Sequence, residues 1–202
     1  MLNNPNFQIP LTTSKWRSGA AALSAAVLGM SAFVPAQASE LDIALSEDSV
    51  AVDLRFLNEE RSLRSSAGIV YREGGSRVFD LELLALGQTA IGNLPTTVGI
   101  GGQLDLFNGD DLEGGALPIG GFVQFNIPQV PGLGYTAAAF VAPSITAFGD
   151  ADRFWRFDTK VTYRIIRAAD VYLGYRHLHA KAEEGSDVSL EESFHLGFRL
   201  QF

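Results

Sequence analysis

The chain has 202 residues and no cysteine, which excludes disulfide bridges and thiolate metal sites. Its formal net charge is −8, from 15 basic and 23 acidic residues, so it does not offer the basic face that a nucleic-acid partner would need. The length suits a single domain once an export signal is set aside.

The N-terminal segment is typical of a secretory signal peptide. Lys15 and Arg17 precede an apolar run, Ser18–Val34, and the small-residue site Ala36-Gln37-Ala38 follows it. A basic patch, a short apolar segment and an A-x-A site together direct export and cleavage. We therefore predict a signal peptide over residues 1–38, cleavage after Ala38, and one domain over residues 39–202. The alternative is an uncleaved membrane anchor.

The rest of the chain consists of short stretches in which apolar and polar residues alternate. A period of two is typical of β-strands, whose successive side chains point to opposite faces. No later stretch supplies the roughly 18 apolar residues that a membrane helix needs. The predicted strands, in chain order, are Leu41–Ser46, Ser49–Leu57, Leu63–Tyr71, Phe79–Ala85, Val98–Leu106, Leu117–Ile127, Tyr135–Thr146, Trp155–Ile165, Val171–Tyr175 and Phe194–Phe202.

Segments rich in glycine, proline or charge separate the predicted strands. Glu73–Ser76 is a tight hairpin signal, because glycine readily adopts positive φ. The other predicted connections include Gln88–Pro95, Asn108–Gly115, Pro128–Gly134, Phe148–Asp152, Arg167–Asp170 and Lys181–Glu192. The count is ten strands, or eight if the N-terminal hairpin and the Ala-rich segment are miscounted. An even number would place both chain ends in the periplasm.

The last nine residues, F-H-L-G-F-R-L-Q-F, present one wholly apolar face. That face carries Phe194, Leu196, Phe198, Leu200 and Phe202. A tilted strand of about 9–11 residues crosses a bilayer, and strands satisfy their backbones in lipid only as closed barrels. The segment resembles the terminal strand of bacterial outer-membrane β-barrels, whose final aromatic residue is read by the assembly machinery. We therefore predict an all-β, antiparallel transmembrane barrel in the cell outer membrane, with membrane lipid and that machinery as partners. The alternative is a soluble periplasmic β-domain.

The polar strand faces are predicted to point into the barrel lumen. They carry Asp53, Arg55, Asp80, Glu82, Asp105, Arg156, Asp158, Lys160, Arg164, Arg176 and Arg199. Both signs of charge are present in similar number, and buried charges must pair because each unpaired one is costly. About eight strands leave an interior that side chains fill, whereas ten leave somewhat more room. The lumenal charges are compatible with two interpretations, a plugged structural barrel and a narrow pore for small solutes.

One cluster on the closing strand has the residue types of a hydrolase. Glu191, Ser193 and His195 share a face and could build a Ser-His-acid site. Some outer-membrane barrels that deacylate lipid A use these residue types, at sites that open to the lipid. Here the three residues share the lumenal face, and no oxyanion-hole signature accompanies them. We therefore predict no catalytic residues.

A second cluster has the residue types of a metal site. His177 and His179 form an H-x-H pair, with Glu183 and Glu184 nearby. Two imidazoles on one strand face can bind zinc, but a site needs more fixed ligands. We predict a polar rim at the outer interface, with no metal and no cofactor.

The signal peptide, the N-terminal hairpin around 42–56 and two late strands occur together in this chain. The late strands are V-Y-L-G-Y-R-H-L at Val171–Leu178 and H-L-G-F-R-L-Q-F at His195–Phe202. This combination resembles the YfaZ family of Gram-negative outer-membrane proteins, and the resemblance does not rest on the middle segment, Gly87–Asp150. The resemblance implies an exported outer-membrane β-barrel. It implies no catalytic residues.

We expect a monomeric, non-enzymatic barrel that is structural or acts as a narrow passive pore for small solutes. One alternative is a lipid-modifying enzyme that acts through Ser193. Another is a surface module that binds a partner through Asn108–Gly115 and Lys181–Glu192.

Overall fold

The structure, a computed structural model, describes residues 38–109, 113–182 and 187–202. Apart from Ala38, the predicted signal peptide lies outside the described residues, as do Glu183 and Glu184. No helix among the described residues is long and apolar enough to cross a membrane.

The described residues form twelve strands. In chain order they are β1 (Ala38–Leu45), β2 (Ser49–Leu57), β3 (Leu63–Arg72), β4 (Arg77–Ile91), β5 (Leu94–Asn108), β6 (Glu113–Ala116), β7 (Ile119–Asn126), β8 (Leu133–Ala142), β9 (Ala147–Gly149), β10 (Ala151–Ile166), β11 (Ala169–Ala182) and β12 (Asp187–Gln201). A short 3-10 helix, Ser144–Thr146, lies between β8 and β9.

The strands pair antiparallel with their neighbours, and the sheet closes on itself. β4, β3, β2 and β1 follow one another, and β1 pairs with the last strand, β12, in a register that sets Leu41 opposite Leu200. The sheet continues through β11, β10, β8, β7 and β5, and β5 pairs back onto β4. The predicted antiparallel barrel is confirmed. Ten strands form the ring, because both the N-terminal hairpin and the Ala-rich segment are strands.

The two short strands β6 and β9 extend existing strands of the ring. β6 pairs with the end of β5, and β9 pairs with β6 as β8 pairs with β7. Pro118 lies between β6 and β7, and Pro143 lies between β8 and β9. Proline has no N–H to donate to a ladder, so each of these strands is interrupted where a proline stands.

The register around the ring determines how far the strands tilt. Stepping across paired residues from Leu45 reaches Asn108 of β5 in one direction. In the other direction the same procedure reaches Thr96 of β5. The two residues are twelve positions apart, which is the shear of the barrel. Over ten strands this shear corresponds to a tilt of about 40°, within the range of membrane barrels.

The predicted loop Gln88–Pro95 is wrong. β4 and β5 pair without a break from Arg77–Asn108 to Ile91–Leu94, so that only Gly92 and Asn93 form the turn. Gly92 has a φ of 59°, in the left-handed region that two-residue hairpin turns require. Pro95 lies beyond the β5–β7 ladder, which starts at Thr96, so that ladder loses no donor.

Charged composition also led to wrong boundaries elsewhere. Part of the predicted loop Asn108–Gly115 belongs to β6, and the predicted turn Phe148–Asp152 contains parts of β9 and β10. β11 and β12 likewise extend into the predicted loop Lys181–Glu192. Charged residues predict contact with water but do not predict backbone conformation. A strand that continues beyond the bilayer exposes its side chains to solvent while its backbone still pairs with the neighbouring strand.

The barrel has two distinct ends. The end near Glu40 and Gln201, here called the terminal end, carries the turns Gly92–Asn93 and Arg167–Ala168. The opposite end, here called the loop end, carries the connections that follow β1, β3, β5, β8 and β11. Along each strand, one side chain points into the lumen and the next points out.

Candidate functional site in the barrel lumen

The structure places all eleven predicted lumen residues on the inner face of the barrel. Ten of them line a single cavity, and Asp105 lies beside it, fully buried and paired with Arg156. Burial differs along the barrel axis. Asp80 is 4% exposed and Lys160 6%, whereas the side chain of Arg164, near the terminal end, is 55% exposed.

Asp42, which sequence analysis missed, is the centre of one ion-pair cluster. Its Oδ2 accepts two hydrogen bonds from Arg199, both 3.2 Å long, and lies 3.3 Å from Nη1 of Arg55. Its Oδ1 accepts a hydrogen bond from the hydroxyl of Tyr172. The carboxylate is almost fully buried, so these partners offset the cost of removing it from water. The signal was present, because Asp42 alternates with apolar residues on β1.

A second cluster joins β10 to β4 and β5. Arg156 donates from Nη2 to Oδ1 of Asp80 and from Nη1 to Oδ1 of Asp105, each over 3.1 Å. Asp80 and Asp53 approach each other over Gly68. A Cβ on Gly68 would lie 2.8 Å from Oδ2 of Asp80 and 3.0 Å from Oδ2 of Asp53. Glycine is needed there because the two carboxylates occupy the space of a side chain.

Other lumenal charges also form pairs along the inner wall. The shortest nitrogen–oxygen distances are 2.9 Å for Arg64 and Glu82, 3.1 Å for Arg176 and Asp158, and 3.1 Å for Arg164 and Asp170. Because most carboxylates have a guanidinium partner, the inner face is close to neutral although the chain as a whole is acidic.

An apolar cluster fills the lumen towards the loop end. Its buried members are Ala44, Ala51, Val70, Val78, Phe107, Ala116, Ala142, Ala151, Phe154, Tyr172, Leu178 and Ala180. The rings of Phe107 on β5 and Phe154 on β10 stack with centroids 5.9 Å apart. β7 and β8 separate β5 from β10 in the ring, so the two stacked rings come from strands that are not neighbours and meet inside the lumen.

A polar cavity of about 210 Å³, here called the vestibule, lies between the apolar cluster and the terminal end. Its lining runs from Glu40 and Gln201 beside the chain ends to Arg156 and Asp80 in the second ion-pair cluster. Seven basic and six acidic side chains contribute to it. The lumen therefore combines a closed apolar half with an accessible polar half.

The Glu191, Ser193 and His195 side chains lie on the inner face, but they do not form a Ser-His pair. The hydroxyl of Ser193 donates to Oε1 of Glu191 over 3.1 Å, and the Ser49 hydroxyl donates to the same oxygen over 2.9 Å. His195 is 2% exposed, and neither of its ring nitrogens has a hydrogen-bond partner among the described residues. Its ring packs on Gly174, which has no side chain. The Ser193 proton is thus directed to a carboxylate and not to an imidazole.

His177 and His179 lie on the outer face of β11 and stack on one another and on Trp155. The ring centroids of Trp155 and His177 are 4.4 Å apart, and Oε2 of Glu192 lies 3.7 Å from Nδ1 of His177. In the part of the chain that the structure describes, no three His, Asp or Glu side chains converge on a possible metal position.

The outer face of β12 carries the apolar residues that the sequence assigned to lipid. Phe194 and Leu196 are 72% and 64% exposed, and Phe202 at the chain end is 74% exposed. Trp155 and Tyr163 are also exposed on the outer face. Tyr172 on β11, by contrast, points into the lumen and is 2% exposed.

Comparison with known proteins gives a family and a distant structural likeness. A family model described as YfaZ precursor matches residues 20–202. No curated protein matches the chain. Among solved structures, the chain is similar to the outer membrane channel DcaP of Acinetobacter baumannii, with 8% identity and a TM-score of 0.42. The similarity covers 80% of this chain and 54% of that one, so the chain spans about half the length of the channel.

Proposed function

The chain belongs to the YfaZ family and is an exported outer-membrane β-barrel, and we propose that this barrel is a non-conducting structural element of the cell envelope. In bacterial outer-membrane barrels the short turns are periplasmic. The terminal end of the lumen then opens to the periplasm, and the loop end faces outward.

The stack of Phe107 on Phe154 carries this proposal. Both rings are at most 3% exposed, and the small side chains of the apolar cluster pack around them. An apolar constriction excludes water, and an ion that loses its hydration there gains no polar partner in return. Closure at the loop end is therefore expected to block ions even though the vestibule is polar.

The contacts of Ser193 favour a non-enzymatic barrel over a lipid-modifying enzyme. In a Ser-His-acid site an imidazole accepts the serine proton, whereas here the Ser193 hydroxyl donates to the carboxylate of Glu191, which is a weaker base than imidazole. In this proposal the apolar outer face of β12 contacts the membrane lipid. Phe202, which follows β12, would be the residue that the assembly machinery reads.

Conductance in a planar lipid bilayer tests the closed lumen. The purified wild-type barrel should show no conductance steps. Replacing both stacked rings, Phe107→Ala with Phe154→Ala, should produce small ion-conducting steps, because it opens the apolar constriction. Steps in the wild-type protein would overturn the proposal.

A matched control separates opening of the lumen from general loosening. Phe140 is as buried as Phe107 but lines the vestibule, where it packs with Leu84 and Phe122 in a separate apolar cluster and does not contact the Phe107–Phe154 stack. Phe140→Ala should enlarge the vestibule but leave the apolar cluster at the loop end intact, so this variant should stay silent. Electrophoresis with and without boiling shows that each variant is folded, because closed barrels migrate differently until they are heated.

A further inference from the structure

One wall of the vestibule is built differently from the rest. Lys160, Thr136, Gln124 and Thr97 all line the vestibule, and they are successive register partners on β10, β8, β7 and β5. This set of four residues is here called the polar row. It contains one cation and no acid. The facing wall holds the paired charges of β1, β2 and β12 instead.

Lys160 has unused hydrogen-bond donors. Its Nζ lies 3.7 Å from Oδ1 of Asp158 and 4.0 Å from Oδ2 of Asp42, and both distances exceed a hydrogen bond. Each lumenal arginine that the structure describes has a carboxylate oxygen within 3.2 Å. The ammonium also lies 4.7 Å from the ring centroid of Tyr172, which attracts it but accepts no full hydrogen bond.

The position of Lys160 makes these unused donors significant. The residue is 6% exposed, and burying an ammonium is costly unless its N–H groups find acceptors. Its neighbour across the ladder on β11 is Gly174, whose side-chain space the ring of His195 occupies. No acceptor of the described residues lies within hydrogen-bond distance of Lys160 Nζ, so an acceptor that enters the vestibule would complete its hydrogen bonds.

The other members of the polar row can donate to the same guest. The hydroxyls of Thr136 and Thr97 and the amide of Gln124 form no hydrogen bond with another described side chain or backbone group. Together with Lys160 they place donors along one wall, and the carboxylate oxygens nearest to Lys160 Nζ, those of Asp158 and Asp42, lie beyond hydrogen-bond distance. A cation would be repelled by Lys160, whereas an anion would satisfy it.

We propose that the polar row binds a small soluble oxyanion, a carboxylate or phosphate group, that enters the vestibule from the terminal end. The acids of the facing wall do not prevent this, because arginines hold them in ion pairs. Arg164, paired with Asp170, stands at the mouth with its side chain half exposed. An oxyanion needs access to the vestibule from one end only, so this proposal does not depend on whether the barrel conducts ions.

The lysine content of the chain allows a direct test. Lys160 and Lys181 are the only lysines that follow Ala38. Selective 13C labelling of lysine therefore gives two side-chain signals in the purified barrel. Sodium phosphate and sodium acetate should each be titrated against sodium chloride at matched ionic strength. A saturable shift of Lys160 with either oxyanion, while Lys181 and the chloride titration stay unchanged, supports the site and identifies the group it prefers.

The opposite results overturn the proposal. No saturable shift with either oxyanion would mean that Asp158, Asp42 and water are sufficient partners for Lys160. Equal movement of both lysines, or an equal effect of chloride, would mean screening rather than binding.

Two substitutions locate the binding in the polar row. Thr136→Val removes one donor at nearly constant shape and should weaken oxyanion binding about tenfold. Thr159→Val is the matched control, because Thr159 lies on the outer face and bonds to Tyr135 over 2.8 Å. Lys160→Met should abolish the rise in unfolding temperature that the oxyanion causes. If Lys160→Met does not fold, the Thr136→Val variant alone tests the site. An unchanged affinity of Thr136→Val for the oxyanion would refute the polar row as the binding site.

Discussion

Replacing Asp42 by asparagine should destabilise the barrel strongly, although the two side chains have almost the same size. The substitution keeps the shape of the side chain and removes its charge. Arg55, Arg199 and Lys160 would then face a neutral amide from within a buried wall, at 3.3 Å, 3.2 Å and 4.0 Å from the former carboxylate oxygen. Breaking a buried ion pair by removing one partner typically costs about 3–5 kcal/mol, because the remaining charge is uncompensated.

Glu40 reduces this cost without abolishing it. Its Oε2 lies 3.7 Å from Arg199 and 3.9 Å from Arg55, so part of the cationic charge keeps an acidic neighbour. Loss of an acceptor acts in the other direction, because Tyr172 and Arg199 donate to different oxygens of Asp42 and asparagine has only one amide oxygen. We therefore expect the free energy of unfolding to fall by about 3 kcal/mol, the lower end of the range for a broken buried pair.

Reversible unfolding by urea from lipid vesicles measures this change. Trp155 is the only tryptophan after Ala38, so its fluorescence reports on the barrel alone. Asp48→Asn is the matched control, since Asp48 pairs with Arg72 over 2.7 Å but both side chains are about a third exposed. An exposed pair is worth about 0–1 kcal/mol. An Asp42→Asn cost no larger than that of Asp48→Asn would refute the reasoning that the Asp42 cluster is effectively buried.

Three further predictions concern other parts of the barrel. Gly197→Ala should lower the free energy of unfolding by about 1–3 kcal/mol through overpacking, because the new Cβ would lie 2.6 Å from a backbone oxygen. Gly102→Ala is the control and should be neutral in the same urea titration, because the atom nearest to its new Cβ would be 3.7 Å away. Ser193→Ala should leave the acylation of lipid A unchanged when membrane lipids are compared by mass spectrometry, and an altered pattern would favour a lipid-modifying enzyme. Deleting Phe202 should reduce the amount of heat-modifiable barrel in outer membranes but not refolding into vesicles. Equal loss in both assays would mean that Phe202 stabilises the fold instead.

The alternation of side chains along each strand was sufficient to predict the kind of fold. The apolar face from Phe194 to Phe202 follows from a period of two, which is a local property of an extended backbone. The same local rule separates β1 from β2 and thereby yields ten strands. Where a residue type has no single local meaning, the prediction was wrong: proline and glycine in Gln88–Pro95 indicated a loop, whereas they stand at a two-residue turn.

Only the tertiary structure decided what the lumen contains. Alternation places Asp42 and Tyr172 on the same side of the wall, but it does not bring together residues 130 positions apart. The contact of Ser49 with Glu191 spans 142 positions. Such pairs depend on the shear and closure of the barrel, which determine the level at which each strand meets its neighbours. The stack of Phe107 on Phe154 and the acid-free polar row exist for the same reason, since each is assembled from strands distant in sequence by the registers of the closed ring.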